Sequence, residues 1–90
     1  MYSRKTTVLN KTGLHARPAS TFVQAAGKYG SKITIENLKS GKQVNAKSIV
    51  MILTLAAGPG TDVRISAEGA DETAAVDDLV ALIDSGFGEL

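Results

Sequence analysis

The chain contains one histidine, His15, and it stands between Gly13-Leu14 and Ala16-Arg17-Pro18. That placement has chemical consequences. The residues from Ala16 onward carry a helical pattern, and Pro18 falls in the first turn, where a missing N–H costs little. A helix N-terminus presents unpaired N–H groups and a partial positive charge, so it attracts anions. With His15 as N-cap, the amides of Ala16 and Arg17 point toward a group carried on its ring. Arg17 adds a permanent cation whose planar fork matches phosphate oxygens. Nucleophile, amide cradle and cation converge on one point. From spacing alone this is an anion site, against the plainer reading of a polar residue that merely caps a helix. No second His, Cys or carboxylate lies close enough in sequence to complete a metal set, and nothing supports a Ser-His-Asp triad. No cofactor or metal is expected.

Ser48 is the second residue of interest. It precedes the apolar run Ile49-Val50-Met51-Ile52-Leu53 and reads as the N-cap of a short helix that ends before Gly58-Pro59-Gly60. A short helix on a sheet buries only about half its circumference, so some of five successive apolar residues must face solvent, and exposed apolar clusters mark partner surfaces. The plainer alternative is that Met51, Ile52 and Leu55 fill the core and the others are incidental. Gly58-Pro59-Gly60 lacks a following Lys or helix and reads as a turn, not as a phosphate cradle.

These residues need elements to hold them. Residues 2–9 are β-like, and 10–14 form a loop. Ala19, Phe22, Val23 and Ala26 make one helical stripe, with Gly30 as a stop. Ile33 and Ile35 alternate with polar neighbours, Ser40-Gly41 suggests a hairpin, and Val44 and Ala46 continue on the return strand. Val63, Ile65 and Ala67 alternate with Asp62, Arg64, Ser66 and Glu68. Asp71 can cap a last helix with the stripe Val76, Leu79, Val80 and Ile83, ended by Gly86 and Gly88. The order βαββαβα predicts an α+β fold, a two-layer open-faced sandwich with a four-stranded antiparallel sheet and three helices on one face.

Ninety residues suit one domain, 1–90. Net charge is only +1 and the charges are dispersed, which argues against nucleic acid as a partner. With no cysteine, disulfides and thiolate metal sites are excluded. The first residues lack the apolar stretch of a secretion signal, and the longest apolar run is too short for a bilayer. A cytoplasmic protein that does not insert in membranes is expected.

The stretch Gly13-Leu14-His15-Ala16-Arg17-Pro18-Ala19 resembles the active-site signature of the HPr phosphocarriers of the bacterial phosphotransferase system. Val44-Asn45-Ala46-Lys47-Ser48-Ile49 resembles that family's second signature, Ile65-Ser66-Ala67-Glu68-Gly69 its last strand and Asp71-Glu72 its last helix start. The resemblance runs over nearly the whole chain. It implies that His15 is phosphorylated through Nδ1 and that Arg17 neutralises the phosphoryl oxygens. It also implies that the Ala16 and Arg17 amides hold the phosphate and that Pro18 fixes the first turn. The implied donor is enzyme I, charged by phosphoenolpyruvate, and the implied acceptors are IIA domains of sugar permeases.

The resemblance further implies that Ser48 is the regulatory target of an ATP-dependent HPr kinase/phosphorylase, with a catabolite-control transcription factor reading the phosphoserine. Ile49, Val50 and Leu53 would form the docking patch beside His15. The chain departs from the Gram-positive-type pattern in carrying Val50 and Leu53 where methionines are common. It is expected to act as a monomeric carrier, not a stand-alone enzyme. A purely regulatory protein and a carrier in a nitrogen- or carbon-regulatory branch are the competing readings. The active histidine speaks against the first, and the second would leave nearly the same residues.

Overall fold

A computed structural model describes residues 1–89 of the chain. Strand β1 (Tyr2–Thr7) leads through a loop into helix α1 (Ala16–Ala26). Strands β2 (Lys32–Asn37) and β3 (Gln43–Asn45) form a hairpin, followed by the short helix α2 (Ile49–Thr54). Strand β4 (Asp62–Glu68) and helix α3 (Glu72–Asp84) complete the order βαββαβα, and a single 3₁₀ turn, Gly86–Gly88, follows. The sheet is antiparallel throughout, in the order β1-β4-β2-β3. This is the predicted open-faced sandwich.

The two faces of the sheet follow from the period-two alternation. Ile33, Ile35, Val44, Val63, Ile65 and Ala67 are buried, while Lys32, Asp62 and Glu68 between them stay exposed. In register, Ile35 sits opposite both Val44 and Ile65, so β2 carries the centre of the buried face. Against it pack Ala19, Phe22 and Ala26 of α1 and Ala75, Val76, Leu79, Val80 and Ile83 of α3, with Ile52 of α2 and Leu55 just beyond it. Among the described residues Phe22 supplies the only fully buried aromatic ring, so aliphatic packing sets the core.

Three local expectations are corrected. β1 ends at Thr7, because the chain then turns to exchange backbone bonds with the loop before β4: the Val8 amide donates to the Thr61 carbonyl at 2.9 Å and the Gly60 amide to the Val8 carbonyl at 2.7 Å. Helix α1 stops at Gly27, whose amide bonds back to the Val23 carbonyl, and not at Gly30. Helix α3 ends at Asp84 as expected, with Gly86 (φ +67°) just past its cap, and the Gly86–Gly88 turn then starts a separate return of the chain.

Asp71 stands at the N-cap of α3 but does not cap it. Its carboxylate turns away and accepts from the amides of Gly30 (2.9 Å) and Ser31 (3.0 Å) and from the Ser31 hydroxyl. Those bonds hold its carboxyl below the usual carboxylate range, the Ser31 hydroxyl being the largest cause. Three donors on another segment outweigh one amide of its own helix. Glu72, the first residue of α3, reaches back to accept from the Gly69 amide at 3.2 Å, outside the helix.

Candidate functional site

The chain reaches His15 through a loop fixed at several points. Gly13 adopts φ +65° with its Cα pressed against the next loop, where an added Cβ would lie 2.5 Å from the Ala57 carbonyl oxygen. Glycine is required there on both counts. Leu14 is fully buried and its amide donates to that same Ala57 carbonyl at 2.9 Å. Pro18 and Ala19, just beyond, are buried in the core. Between these anchors lie His15, half-buried, and the exposed Ala16 and Arg17.

His15 is the N-cap residue of α1, with extended backbone (φ −132°, ψ 164°), and its side chain makes no capping bond. Among the described residues neither the Ala16 nor the Arg17 amide has an acceptor. Pro18 contributes no N–H at all. The helix therefore begins with two free amides, a free imidazole and the Arg17 guanidinium, all on the exposed side of one turn. Oriented amides at a helix start are a ready site for an anion.

The structure adds a feature that the sequence reading lacks. Ala16 has φ +53°, a left-handed conformation that costs an alanine about 1 kcal/mol or more. The chain must turn between Leu14, tied to Ala57, and Pro18, held in the core, and Ala16 absorbs that turn.

A second missed feature lies at the far end of the chain. Glu89 accepts from Asn10 Nδ2 (3.1 Å), from the Thr12 hydroxyl (2.9 Å to Oε1 and 3.1 Å to Oε2) and from the Thr12 amide (3.4 Å). Its carboxyl is held below the ordinary range, by Asn10 first, then Thr12, with a contribution from the Arg17 charge. Asn10 is fully buried and also donates to the Gly13 carbonyl at 2.9 Å. Helical periodicity says nothing about such a tie; a buried Asn in a loop was the only available signal.

Ser48 caps α2 as expected, its hydroxyl accepting from the Met51 amide at 3.3 Å. Lys47 beside it donates to the Tyr29 carbonyl at 2.6 Å, which ties the start of α2 to the end of α1. Of the apolar run, Ile52 alone is buried; Ile49 is 40%, Val50 66% and Leu53 45% exposed, and Met51 is exposed as well. Met51 is thus not a core residue, and Leu55 fills the position expected of it. Helices α1 and α2 are in contact. Among the described residues no group of three or more His, Cys, Asp or Glu is placed to hold a metal ion. No helix among them is long and apolar enough to cross a membrane.

Comparison with known proteins agrees with this geometry. A family model described as the phosphorylation site of the HPr component of the phosphotransferase system matches residues 2–85. The phosphocarrier protein HPr of Cupriavidus necator is 45% identical over 89 residues, covering 99% of this chain and 98% of that protein. The HPr-like protein Crh of Bacillus subtilis is 46% identical over 83 residues, 92% of this chain and 95% of that one. The crystal structure of HPr-C-His from Thermoanaerobacter tengcongensis superposes with a TM-score of 0.94 at 51% identity, over 100% of this chain and 99% of that one. An uncapped histidine at the head of α1, an open-faced sandwich beneath it and these likenesses over almost the full length lead to one assignment: the chain belongs to the HPr family of phosphocarriers of the phosphotransferase system.

Proposed function

We propose that His15 accepts a phosphoryl group through Nδ1 from phospho-enzyme I and passes it to IIA domains of sugar permeases. The observation that carries this reading is the start of α1, where a free imidazole, two unpartnered amides and Arg17 share one exposed turn. In an in-line transfer through a loose transition state, the protein's work is positioning and charge stabilisation. The imidazole nitrogen forms the new N–P bond as the donor's bond breaks. The Ala16 and Arg17 amides hold the phosphoryl oxygens, Arg17 neutralises their charge, and Pro18 keeps the turn in place. The exposure of the site suits chemistry completed by a partner's surface. The chain is a covalent carrier in a relay and not a stand-alone catalyst, and it works as a cytoplasmic monomer.

Ile49, Val50 and Leu53 form the docking surface, supported by their exposure on a helix that touches α1. Ser48 is the regulatory acceptor for an HPr kinase/phosphorylase. A phosphate there would lie at a helix start, where negative charge is tolerated, so the fold would persist while the charge beside the patch changed. The likeness to Crh, described by name as the catabolite repression HPr of Bacillus subtilis, supports a phosphoserine form read by a catabolite-control transcription factor.

The test is incubation with enzyme I and labelled phosphoenolpyruvate. Wild type should take up acid-labile label and His15→Ala none. Acid-labile label on His15→Ala would overturn the reading. With ATP and an HPr kinase, acid-stable label should appear on wild type and not on Ser48→Ala.

A further inference from the structure

We propose that Glu89 is a positioning residue for phosphoryl acceptance, closing the loop that delivers His15 and Arg17 to the head of α1. The inference rests on His15 as the acceptor and adds a residue at the other end of the chain to its machinery. The loop from Asn10 to Leu14 is held on one side by Ala57, which receives the Leu14 amide, and on the other by the Glu89 carboxylate. Three donors converge on that carboxylate: Asn10 Nδ2, the Thr12 hydroxyl and the Thr12 amide. Asn10 transmits the hold inward. Its buried Nδ2 lies 3.1 Å from Glu89, 2.9 Å from the Gly13 carbonyl and 3.3 Å from the Thr12 hydroxyl, so one amide group joins the tail to the residue two places before His15.

The tail is shaped for this contact. Gly86, Phe87 and Gly88 all have positive φ (+67°, +55° and +79°), which turns the chain back after α3. A left-handed phenylalanine is costly, and Phe87 is kept there by packing against the core. Backbone strain is thus present at both ends of one tie, at Ala16 and at Phe87. Strained conformations persist where the surroundings over-determine them. Releasing Glu89 removes part of what determines Ala16. The carboxylate also lies within the field of Arg17.

The experiment uses the full chain with phosphoramidate as donor, so that no partner surface enters. The N–P bond of phosphoramidate breaks, an N–P bond forms on the His15 ring, and the ring proton leaves with ammonia. Uptake is followed by phosphorus NMR over a range of donor concentrations. Glu89→Ala should lower the maximal rate about tenfold with little change in half-saturating concentration, as expected when an acceptor is bound but misaligned. Glu89→Gln, whose amide oxygen can accept from the same donors, should restore the rate to within about twofold of wild type. Thr12→Val, which removes the hydroxyl from the opposite side, should show an intermediate loss.

A wild-type maximal rate in Glu89→Ala would overturn the proposal, and so would equal losses in the Gln and Ala variants. Hydrogen exchange supplies a reading that needs no phosphoryl group. The Thr12 and Leu14 amides should exchange faster in Glu89→Ala than in wild type or Glu89→Gln, and unchanged exchange would also overturn it. If phosphoryl is found on a residue other than His15, the acceptor assignment fails, while the exchange data still decide whether the clasp exists.

Discussion

The two helix starts that bear hydroxyl or imidazole groups are built in opposite ways. At α2 the cap side chain turns inward: Ser48 gives its oxygen to the Met51 amide, and no residue of that turn has positive φ. At α1 the cap side chain turns away: among the described residues His15 makes no capping bond and two amides stay free, and Ala16 is left-handed. Closing a helix start with its own side chain stabilises it and uses one of the amides an anion would need. Leaving it open costs stability and keeps the amides for a transient guest. The difference separates a terminus closed by its own side chain from one that leaves its amides open to an anion.

The contrast can be broken from the open side first. Gly13→Ala forces a side chain into the Ala57 carbonyl and an alanine into φ +65°, and should destabilise the fold by about 3 kcal/mol or more, read by urea denaturation. Arg17→Ala should slow phosphoryl uptake on His15 roughly 100-fold in single-turnover assays. Because Arg17 is exposed, its denaturation midpoint should barely move.

At the closed terminus the expected order reverses. Ser48→Ala should cost about 1 kcal/mol of stability through the lost cap and leave uptake from phosphoramidate unchanged. Ala16→Gly is the smallest effect and the sharpest for the comparison. It should gain roughly 0.5–1 kcal/mol by relieving the left-handed alanine, yet slow uptake, because a glycine no longer confines the turn. Faster uptake together with the gain in stability would remove strain from the account of the open terminus.

How far these features were legible in the chain depended on their range. Alternation at Ile33, Ile35, Val63, Ile65 and Ala67, and the stripe Val76, Leu79, Val80 and Ile83, predicted the layers correctly because each is a local pattern set by one buried face. His15, Arg17 and Ser48 stood out through their position relative to helix starts, and the structure puts them at those starts. What escaped was decided elsewhere in the fold. Asp71 looked like a cap but found three donors at Gly30 and Ser31, about 40 residues away. Glu89 carried no signal in the sequence, yet it holds the loop near the opposite terminus. The left-handed Ala16 could not be read from an Ala-Arg-Pro sequence, since it follows from where Leu14 and Pro18 are anchored.

The tie between Glu89 and Asn10 joins residues 79 apart in sequence, and the nearer strut at Ala57 also lies on the far side of β2, β3 and α2. His15 sits early in the sequence, but nearly everything that holds its approach comes late. During vectorial synthesis, the first fifteen residues leave the ribosome long before Ala57 and Glu89 exist to receive them. Contacts of such separation form only after the costly closure of long loops. A chain that has not yet made Ala57 and Glu89 therefore presents His15 without the contacts that hold its loop. The geometry at the head of α1 arrives with the last of those contacts, as a property of the assembled fold.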